Sequence, residues 1–169
     1  STVREQGNPG LGPLCDSLQF RSDVFEINGL AGQTLVHVYR RIHQGNASLI
    51  AIDGLPGAGK STLASALSSM LTIRAVHLHD YFALACAHFA EGLQYEELRN
   101  DLLHRPVIVE GVCMMDVLER LSLRPTQFLY LQAPSTERRL DRGHPLMREV
   151  RAYTLRSRPA ERAELILSR

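Results

Sequence analysis

The pattern of hydrophobic and polar positions changes near residue 45 of this chain. Before that point, the segments 23–27 and 34–40 alternate apolar and polar residues on either side of a connection that contains glycine. Such alternation is typical of strands with one buried face, and two strands joined by a short glycine-containing turn form a hairpin. The pattern therefore predicts an N-terminal β-hairpin over residues 22–41.

From residue 46 onward, short continuous apolar runs alternate with stretches that have helical spacing. The runs cover residues 49–52, 75–78, 107–109, 128–131 and 165–167, and the helical stretches cover 60–71, 95–104, 115–121, 136–142 and 147–156. Continuous apolar runs are typical of parallel strands that are buried on both faces. Five strands that alternate with helices predict an α/β fold with a doubly wound, mostly parallel five-stranded sheet.

The length of the chain favours one domain. Its 169 residues, of which 44% are hydrophobic, are enough to fill a single core. Residues 1–19 contain several glycines and prolines and little periodicity, which predicts a flexible leader. We therefore expect a single domain over residues 20–169, with a nucleotide-binding core over residues 46–169.

Charge and cysteine content narrow the choice of partners and compartment. The formal net charge is +1, so the chain lacks the basic excess that is typical of proteins that bind nucleic acids or membrane surfaces. No run approaches the roughly 20 apolar residues of a membrane span. The three cysteines are widely spaced and odd in number, which favours a reducing compartment over a disulfide framework. These features predict a soluble, cytoplasmic protein without a nucleic-acid or membrane partner.

A glycine-rich segment between the first apolar run and the next helical stretch carries the strongest chemical signal. Residues 54–62 read Gly-Leu-Pro-Gly-Ala-Gly-Lys-Ser-Thr, which matches the pattern G-x-x-x-x-G-K-[ST] of phosphate-binding loops, or P-loops. In such loops, backbone N–H groups and the N-terminal end of the following helix face the phosphates of a nucleotide. The residues predicted to bind the nucleotide are Gly54, Gly57, Ala58, Gly59, Lys60, Ser61 and Thr62.

Two side chains of the P-loop have predicted roles of their own. Lys60 would neutralise charge on the β- and γ-phosphates of ATP, and the Ser61 hydroxyl would bind Mg²⁺. Lys60 is the only lysine among the 19 basic residues of the chain. A compact ammonium group fits between phosphate oxygens, where the planar guanidinium of arginine is not its equivalent. The solitary lysine therefore supports the P-loop interpretation.

Two other classes of P-loop protein are disfavoured by the rest of the sequence. The Asn-Lys-x-Asp segment with which Ras-like GTPases read guanine is excluded, because no second lysine exists. No apolar run ends in the Asp-Glu pair expected of a mechanical ATPase, and the chain is short for one. Kinases remain the favoured class.

Two acidic residues follow apolar runs at the sheet edge where the ligand is expected. Asp80 comes after the second run and Glu110 after the third, and ligands of open α/β sheets bind at the carboxyl ends of strands. Asp80 is predicted to accept the proton of a substrate hydroxyl, with a helix N-cap as the alternative role. Glu110 is predicted to help hold Mg²⁺, with a solvated strand-end carboxylate as the alternative. His77 and His79 would share a strand face, but no third metal ligand follows at suitable spacing.

An arginine-rich helical stretch leads into a Gly-His-Pro turn at residues 143–145. Arg138 and Arg142 are four residues apart and therefore lie on one face of the predicted helix. Phosphoryl transfer needs cations that meet developing charge and a mobile cover that excludes water. The pattern predicts a lid over about residues 138–151 in which Arg138 and Arg142 are catalytic; the alternative is a solvated helix in an arginine-rich chain.

The order of these motifs resembles the uridine kinase and phosphoribulokinase-like group of P-loop small-molecule kinases. The P-loop is similar to the glycine-rich loop of that group, His-Asp-Tyr-Phe at residues 79–82 looks like its Gln-Asp-Ser-Phe segment, and residues 107–112 look like its Val-Ile-Val-Glu-Gly strand. Residues 137–142 resemble the arginine-rich entry to its lid, and residues 159–167 the segment before its last strand. The resemblance covers about residues 46–169 and implies that Asp80 is the base.

The motifs together predict an ATP-dependent phosphotransferase that moves the γ-phosphate to a hydroxyl of a small metabolite, nucleoside-like or sugar-like. Two alternatives stay open. One is a toxin-type P-loop kinase that phosphorylates a sugar nucleotide. The other is a nucleotide-binding regulatory module without catalysis, which would use the N-terminal hairpin as a docking edge.

Overall fold

The computed structural model describes residues 32–45, 48–83, 86–133 and 143–168 of the chain. The strands are β1 (Leu49–Gly54), β2 (Arg74–His77), β3 (Val107–Glu110), β4 (Gln127–Gln132) and β5 (Leu165–Ser168). The helices are α1 (Gly32–His43), α2 (Lys60–Leu71), α3 (Tyr95–Leu102), α4 (Met114–Arg120), α5 (Pro145–Ser157) and α6 (Pro159–Arg162). A short 3-10 helix, Leu78–Tyr81, directly follows β2.

The five strands form one sheet in the order β2-β3-β1-β4-β5, and every pair is parallel. In this order β1 is central, so that Ile52 lies between Glu110 of β3 and Leu129 of β4. All six residues of β1 are buried, as expected of a strand covered on both faces. The α/β class and the predicted five-stranded parallel sheet are therefore confirmed.

The two faces of the sheet are covered by different helices. Ile50 and Ile52 belong to a buried cluster that contains Leu63 and Leu67 of α2. Leu49 and Ala51 belong to a second cluster, which contains residues of α3 and α4. Successive side chains of a strand point to opposite faces, so alternate residues of β1 supply the two cores. This two-sided burial makes the sheet doubly wound and leaves the carboxyl ends of the strands free for a site.

The prediction that residues 34–40 form the second strand of an N-terminal hairpin is wrong. Residues 34–40 lie within helix α1, in which Leu35 and Val38 are buried and Ile42 is partly buried against the same cluster as α2. Positions 35, 38 and 42 have the spacing of one helix face. The sequence of this segment therefore fits a helix as well as the alternation of a strand. Packing against the sheet decides in favour of the helix. The first predicted strand, residues 23–27, and the leader lie outside the described residues.

The other predicted helices agree with the structure to within about two residues at either end, except the stretch 136–142, which lies outside the described residues. The described part of the predicted lid, residues 143–151, consists of a turn and the first half of α5. Within the described residues, every helix is too short or too polar to cross a membrane.

Candidate active site

The P-loop connects the central strand to the helix that follows it. Gly57 and Gly59 have φ angles of 78° and 102°, a left-handed region that glycine adopts without strain. Gly54 is needed for a different reason, since a Cβ there would lie 2.4 Å from the carbonyl oxygen of Leu131 on β4. The backbone N–H of Ala58 donates to the carbonyl of Leu55 at 3.1 Å and closes the turn. The loop thus curls at the N-terminal end of α2.

Lys60, the first residue of α2, folds back over its own loop. Its side chain is mostly buried, and Nζ donates to the carbonyl oxygen of Leu55 at 2.8 Å. Burial lowers the pKa of Lys60, and the nearby carboxylates of Glu110 and Asp53 oppose that shift. The loop therefore contains a cation that is largely shielded from water, where its attraction for a phosphate is stronger than at an exposed surface.

Glu110 is the point where three elements meet. It ends β3, is buried, and has His77 of β2 as its neighbour in the strand register. Its Oε1 accepts a hydrogen bond from the Ser61 hydroxyl at 2.8 Å and another from Nδ1 of His77 at 2.7 Å. The sheet thus brings a carboxylate and a hydroxyl together, and oxygen ligands of this kind suit Mg²⁺.

Asp80 occupies the same edge of the sheet but faces solvent. It lies in the 3-10 helix after β2, and its side chain is 61% exposed. Nε2 of His79 lies 3.0 Å from Oδ1 of Asp80, and Nδ1 of the same ring lies 3.9 Å from Oε1 of Glu110. His77, not Asp80, occupies the N-cap position of the 3-10 helix. The imidazole of His79 therefore stands between the exposed and the buried carboxylate.

The two histidines do not share a strand face as the sequence suggested. His77 belongs to β2, whereas His79 lies in the turn that follows. No cluster of three His, Cys, Asp or Glu side chains arranged to hold a metal ion occurs in the part of the chain that the structure describes. The predicted lid cations Arg138 and Arg142 lie outside the described residues, so their placement stays a prediction.

A buried pair that was not recognised from the sequence lies directly before the P-loop. Asp53 is 1% exposed and accepts hydrogen bonds from the hydroxyl of Tyr153 and from the backbone N–H of Gly54, the latter at 2.8 Å. The hydroxyl of Tyr153 also accepts from the backbone N–H of Met115 at 3.2 Å. The pair therefore joins the end of β1, the start of α4 and the middle of α5. The only sequence signal for it was an acid directly after the first apolar run, residues 49–52.

Burial raises the pKa of Asp53 to about 6, against the opposing effects of the Tyr153 and Gly54 hydrogen bonds and of the Lys60 charge. A carboxyl group whose pKa is higher in the folded chain than in the unfolded chain binds more protons when folded. The contribution of Asp53 to stability therefore decreases as the pH rises from about 4 to above 6. The hydrogen bonds from Tyr153 and Gly54 stabilise the charged form of the Asp53 carboxylate.

We expect the Tyr153→Phe variant to be destabilised in a pH-dependent way. At pH 7.5 the change removes a donor from a buried, charged carboxylate and should lower the free energy of unfolding by about 1.5–3 kcal/mol. At pH 5, where Asp53 is mostly protonated, the loss should be smaller. Urea denaturation at both pH values measures the difference. The matched control is Tyr95→Phe, because the Tyr95 hydroxyl donates to an uncharged carbonyl, that of Ala90, and its loss should not depend on pH. Equal losses for Tyr153→Phe at both pH values would contradict this account of Asp53.

Comparison with known proteins supports the fold. No protein-family model matches the chain, and no curated protein matches it with significance. Among solved structures, the chain is similar to one described as a possible uridine kinase from Bacillus stearothermophilus, with a TM-score of 0.51 and 19% sequence identity. The match covers 70% of this chain and 86% of the other. At this level of identity the similarity shows a P-loop kinase-like fold.

Proposed function

We propose that this protein is an ATP-dependent phosphotransferase that transfers the γ-phosphate to a hydroxyl group of a small metabolite. The observation that carries the proposal is the meeting of Lys60, Ser61 and Glu110 at the carboxyl edge of the sheet, where the Ser61 hydroxyl lies 2.8 Å from the Glu110 carboxylate. Asp80 stands at the same edge. Together they supply a phosphate-binding cation, two oxygen ligands and a base, which is the set that phosphoryl transfer to an alcohol needs.

The residues present fit a nucleotide with Mg²⁺. Mg²⁺ is usually held by one or two protein oxygens, with nucleotide phosphates and water completing the shell. Ser61 and Glu110 supply such oxygens, and so the lack of a larger ligand cluster among the described residues is compatible with Mg²⁺. When bound, the ion neutralises charge on the phosphates. The hydrogen bond from His77 holds one oxygen of Glu110 in place, which fixes the orientation of the carboxylate.

The proposed reaction uses these positions as follows. Lys60 and the P-loop amides hold the phosphates, which brings the γ-phosphorus to the carboxyl edge of the sheet. A carboxylate oxygen of Asp80 accepts the proton of the acceptor hydroxyl as the new O–P bond forms and the bond to the leaving ADP breaks. We assign Arg138 and Arg142 to the transferring phosphoryl group, as the lid interpretation requires.

The function is tested by transfer of label from γ-³²P-ATP to a metabolite extract, with Mg²⁺ present and product separation by chromatography. A labelled metabolite that depends on the protein supports a kinase. Labelled inorganic phosphate alone would indicate an ATPase, and nucleotide binding without turnover would indicate the regulatory module. Transfer that is confined to sugar nucleotides would support the toxin-type kinase.

The Glu110→Gln variant should require more Mg²⁺ than the unmodified protein. Glutamine keeps an oxygen that can accept from Ser61 and His77, but the substitution removes the negative charge. Loss of such a metal-supporting group lowers metal affinity by about 10- to 100-fold in other sites. Binding of a non-hydrolysable ATP analogue, titrated with Mg²⁺, measures the shift without relying on turnover. The control is Glu119→Gln at an exposed position of α4; identical Mg²⁺ curves for Glu110→Gln and the unmodified protein would remove Glu110 from the metal site.

A further inference from the structure

A polar cleft of about 470 Å³ lies between the segment 87–91 and the helices α4 and α5. This volume is within the range of pockets that take small metabolites. Three arginines and three carboxylates line it: Arg120, Arg148 and Arg156, and Glu91, Asp116 and Glu149. We call this space the α4–α5 cleft.

The α4–α5 cleft is connected to the proposed catalytic edge. Tyr153 lines the cleft and donates its hydroxyl hydrogen bond to Asp53, the residue before the first glycine of the P-loop. Helix α4 begins four residues after Glu110, and the segment 87–91 follows the turn that contains Asp80. Tyr153 therefore places α5 at the carboxyl end of β1, and α4 begins close to the carboxyl end of β3, in the region where an open α/β sheet binds its ligands.

The carboxylates of the cleft are more fully paired than its cations. Both oxygens of Glu149 accept backbone N–H groups, from Phe89 at 2.7 Å and from Ala90 at 3.1 Å. Asp116 accepts from the guanidinium of Arg156. Two of the three negative charges are therefore already satisfied by protein donors, which leaves them little capacity to bind a cationic ligand.

Two arginines keep donors for a ligand. The described hydrogen bond of the Arg148 guanidinium runs to the carbonyl of Gly143 at 3.2 Å, an uncharged acceptor. The guanidinium of Arg120 lies 4.0 Å from Glu91, and both side chains are about half exposed or more. An exposed pair at that distance contributes about 1 kcal/mol or less, whereas a bidentate bond from arginine to a carboxylate or phosphate is stronger. The cleft therefore favours an anionic group.

The walls of the α4–α5 cleft provide few aromatic surfaces on which an uncharged nucleobase could stack. Apart from the exposed imidazole of His88, Tyr153 is the one aromatic side chain among the described lining residues, and its hydroxyl is bonded to Asp53. The nearby rings of Phe82 and Phe89 stack on each other, with centroids 5.5 Å apart. Most of the remaining lining residues are alanines and a proline. An acceptor recognised by base stacking is therefore disfavoured in comparison with a small charged one.

We propose that the α4–α5 cleft is the acceptor site, and that the acceptor is a compact alcohol carrying a carboxylate or phosphate group bound by Arg148 and Arg120. This proposal rests on the proposed phosphotransferase function and adds the substrate class. The hydroxyl of the acceptor attacks the γ-phosphorus of ATP, its proton passes to Asp80, and ADP leaves with the electrons of the broken P–O bond.

The first test separates acceptors by charge before the reaction. A metabolite extract is divided on an anion-exchange column into an uncharged and an anionic fraction, and each is incubated with the full-length protein, Mg²⁺ and γ-³²P-ATP. Label should enter products from the anionic fraction alone. Prior treatment of that fraction with alkaline phosphatase, later inactivated, distinguishes the two chemistries: an acceptor that carries a phosphate monoester disappears, and a carboxylate-bearing acceptor survives.

The second test uses the labelled acceptor with variants of the cleft. Arg148→Gln and Arg120→Gln should each raise the KM for the acceptor about 10- to 100-fold, the range for loss of a charge-assisted hydrogen bond, with a smaller change in kcat. The affinity for a non-hydrolysable ATP analogue should change less than about twofold. Arg124→Gln, at an exposed arginine outside the cleft, is the control and should behave as the unmodified protein.

The outcomes separate this proposal from the function on which it rests. Label that enters only the uncharged fraction, or an unchanged KM in both arginine variants, would overturn the anionic acceptor while the phosphotransferase stands. No label in either fraction would reject the phosphotransferase and this proposal with it.

Discussion

The Lys60→Ala variant is expected to lose phosphoryl transfer almost completely. The substitution removes the shielded cation at the start of α2, which in the proposed reaction contacts the β- and γ-phosphates. Removal of one preorganised group that stabilises developing charge lowers kcat by about 100- to 1000-fold. ATP affinity should fall as well, because the lysine meets the phosphates in the ground state. Label transfer and titration with an ATP analogue measure the two effects.

The fold should tolerate this substitution. The ammonium group of Lys60 is buried, its pKa is lowered by that burial, and its one described hydrogen bond is to the carbonyl of Leu55 in the same loop. Thermal unfolding should therefore change little, which separates a catalytic loss from misfolding. Lys60→Arg is the matched control for charge: it should remain impaired, because a planar guanidinium does not replace a compact ammonium between phosphate oxygens. ATP turnover by Lys60→Ala at the unmodified rate would show that the P-loop assignment is wrong.

The Asp80→Asn variant should lose transfer but keep its nucleotide affinity and stability. Asparagine has the size and shape of aspartate and lacks the carboxylate that accepts the proton. Loss of a positioned base typically slows a reaction by about 100- to 10,000-fold. Because the Asp80 side chain is 61% exposed, the substitution removes no buried contact and thermal unfolding should be nearly unchanged. Label transfer, analogue binding and thermal unfolding on one preparation test all three expectations.

A second variant distinguishes Asp80 from the imidazole beside it. Nε2 of His79 lies 3.0 Å from Asp80, so a neutral His79 could itself take the proton. If Asp80 is the base, His79→Gln should slow transfer much less than Asp80→Asn does. Near-normal turnover by Asp80→Asn together with a large loss in His79→Gln would falsify the assignment of Asp80 and transfer it to the histidine.

Much of the fold was accessible from the sequence because buried parallel strands leave a local signature. The five apolar runs became the five strands, and the P-loop pattern located the start of α2 at Lys60. The segment 34–40 was wrongly predicted to be a strand because its apolar residues fit both the period of two of a strand and the period of a helix. Only the buried cluster that Leu35 and Val38 form with α2 shows that this segment is a helix and not a strand. Local periodicity does not contain that information.

The candidate site shows the same division between local and long-range information. The sequence by itself determined the groups whose chemistry is tied to a local pattern: the glycines and Lys60 of the P-loop, and acids at the ends of apolar runs. Strand order is not local, so only the tertiary structure decided that β3 lies between β1 and β2 and thereby brings Ser61 and His77 to one oxygen of Glu110. Asp53 and Tyr153 are one hundred residues apart, and their bond exists because α5 packs over the end of β1. The α4–α5 cleft likewise arises from segments that are separated in the chain, because contacts between distant residues depend on how the helices cover the sheet.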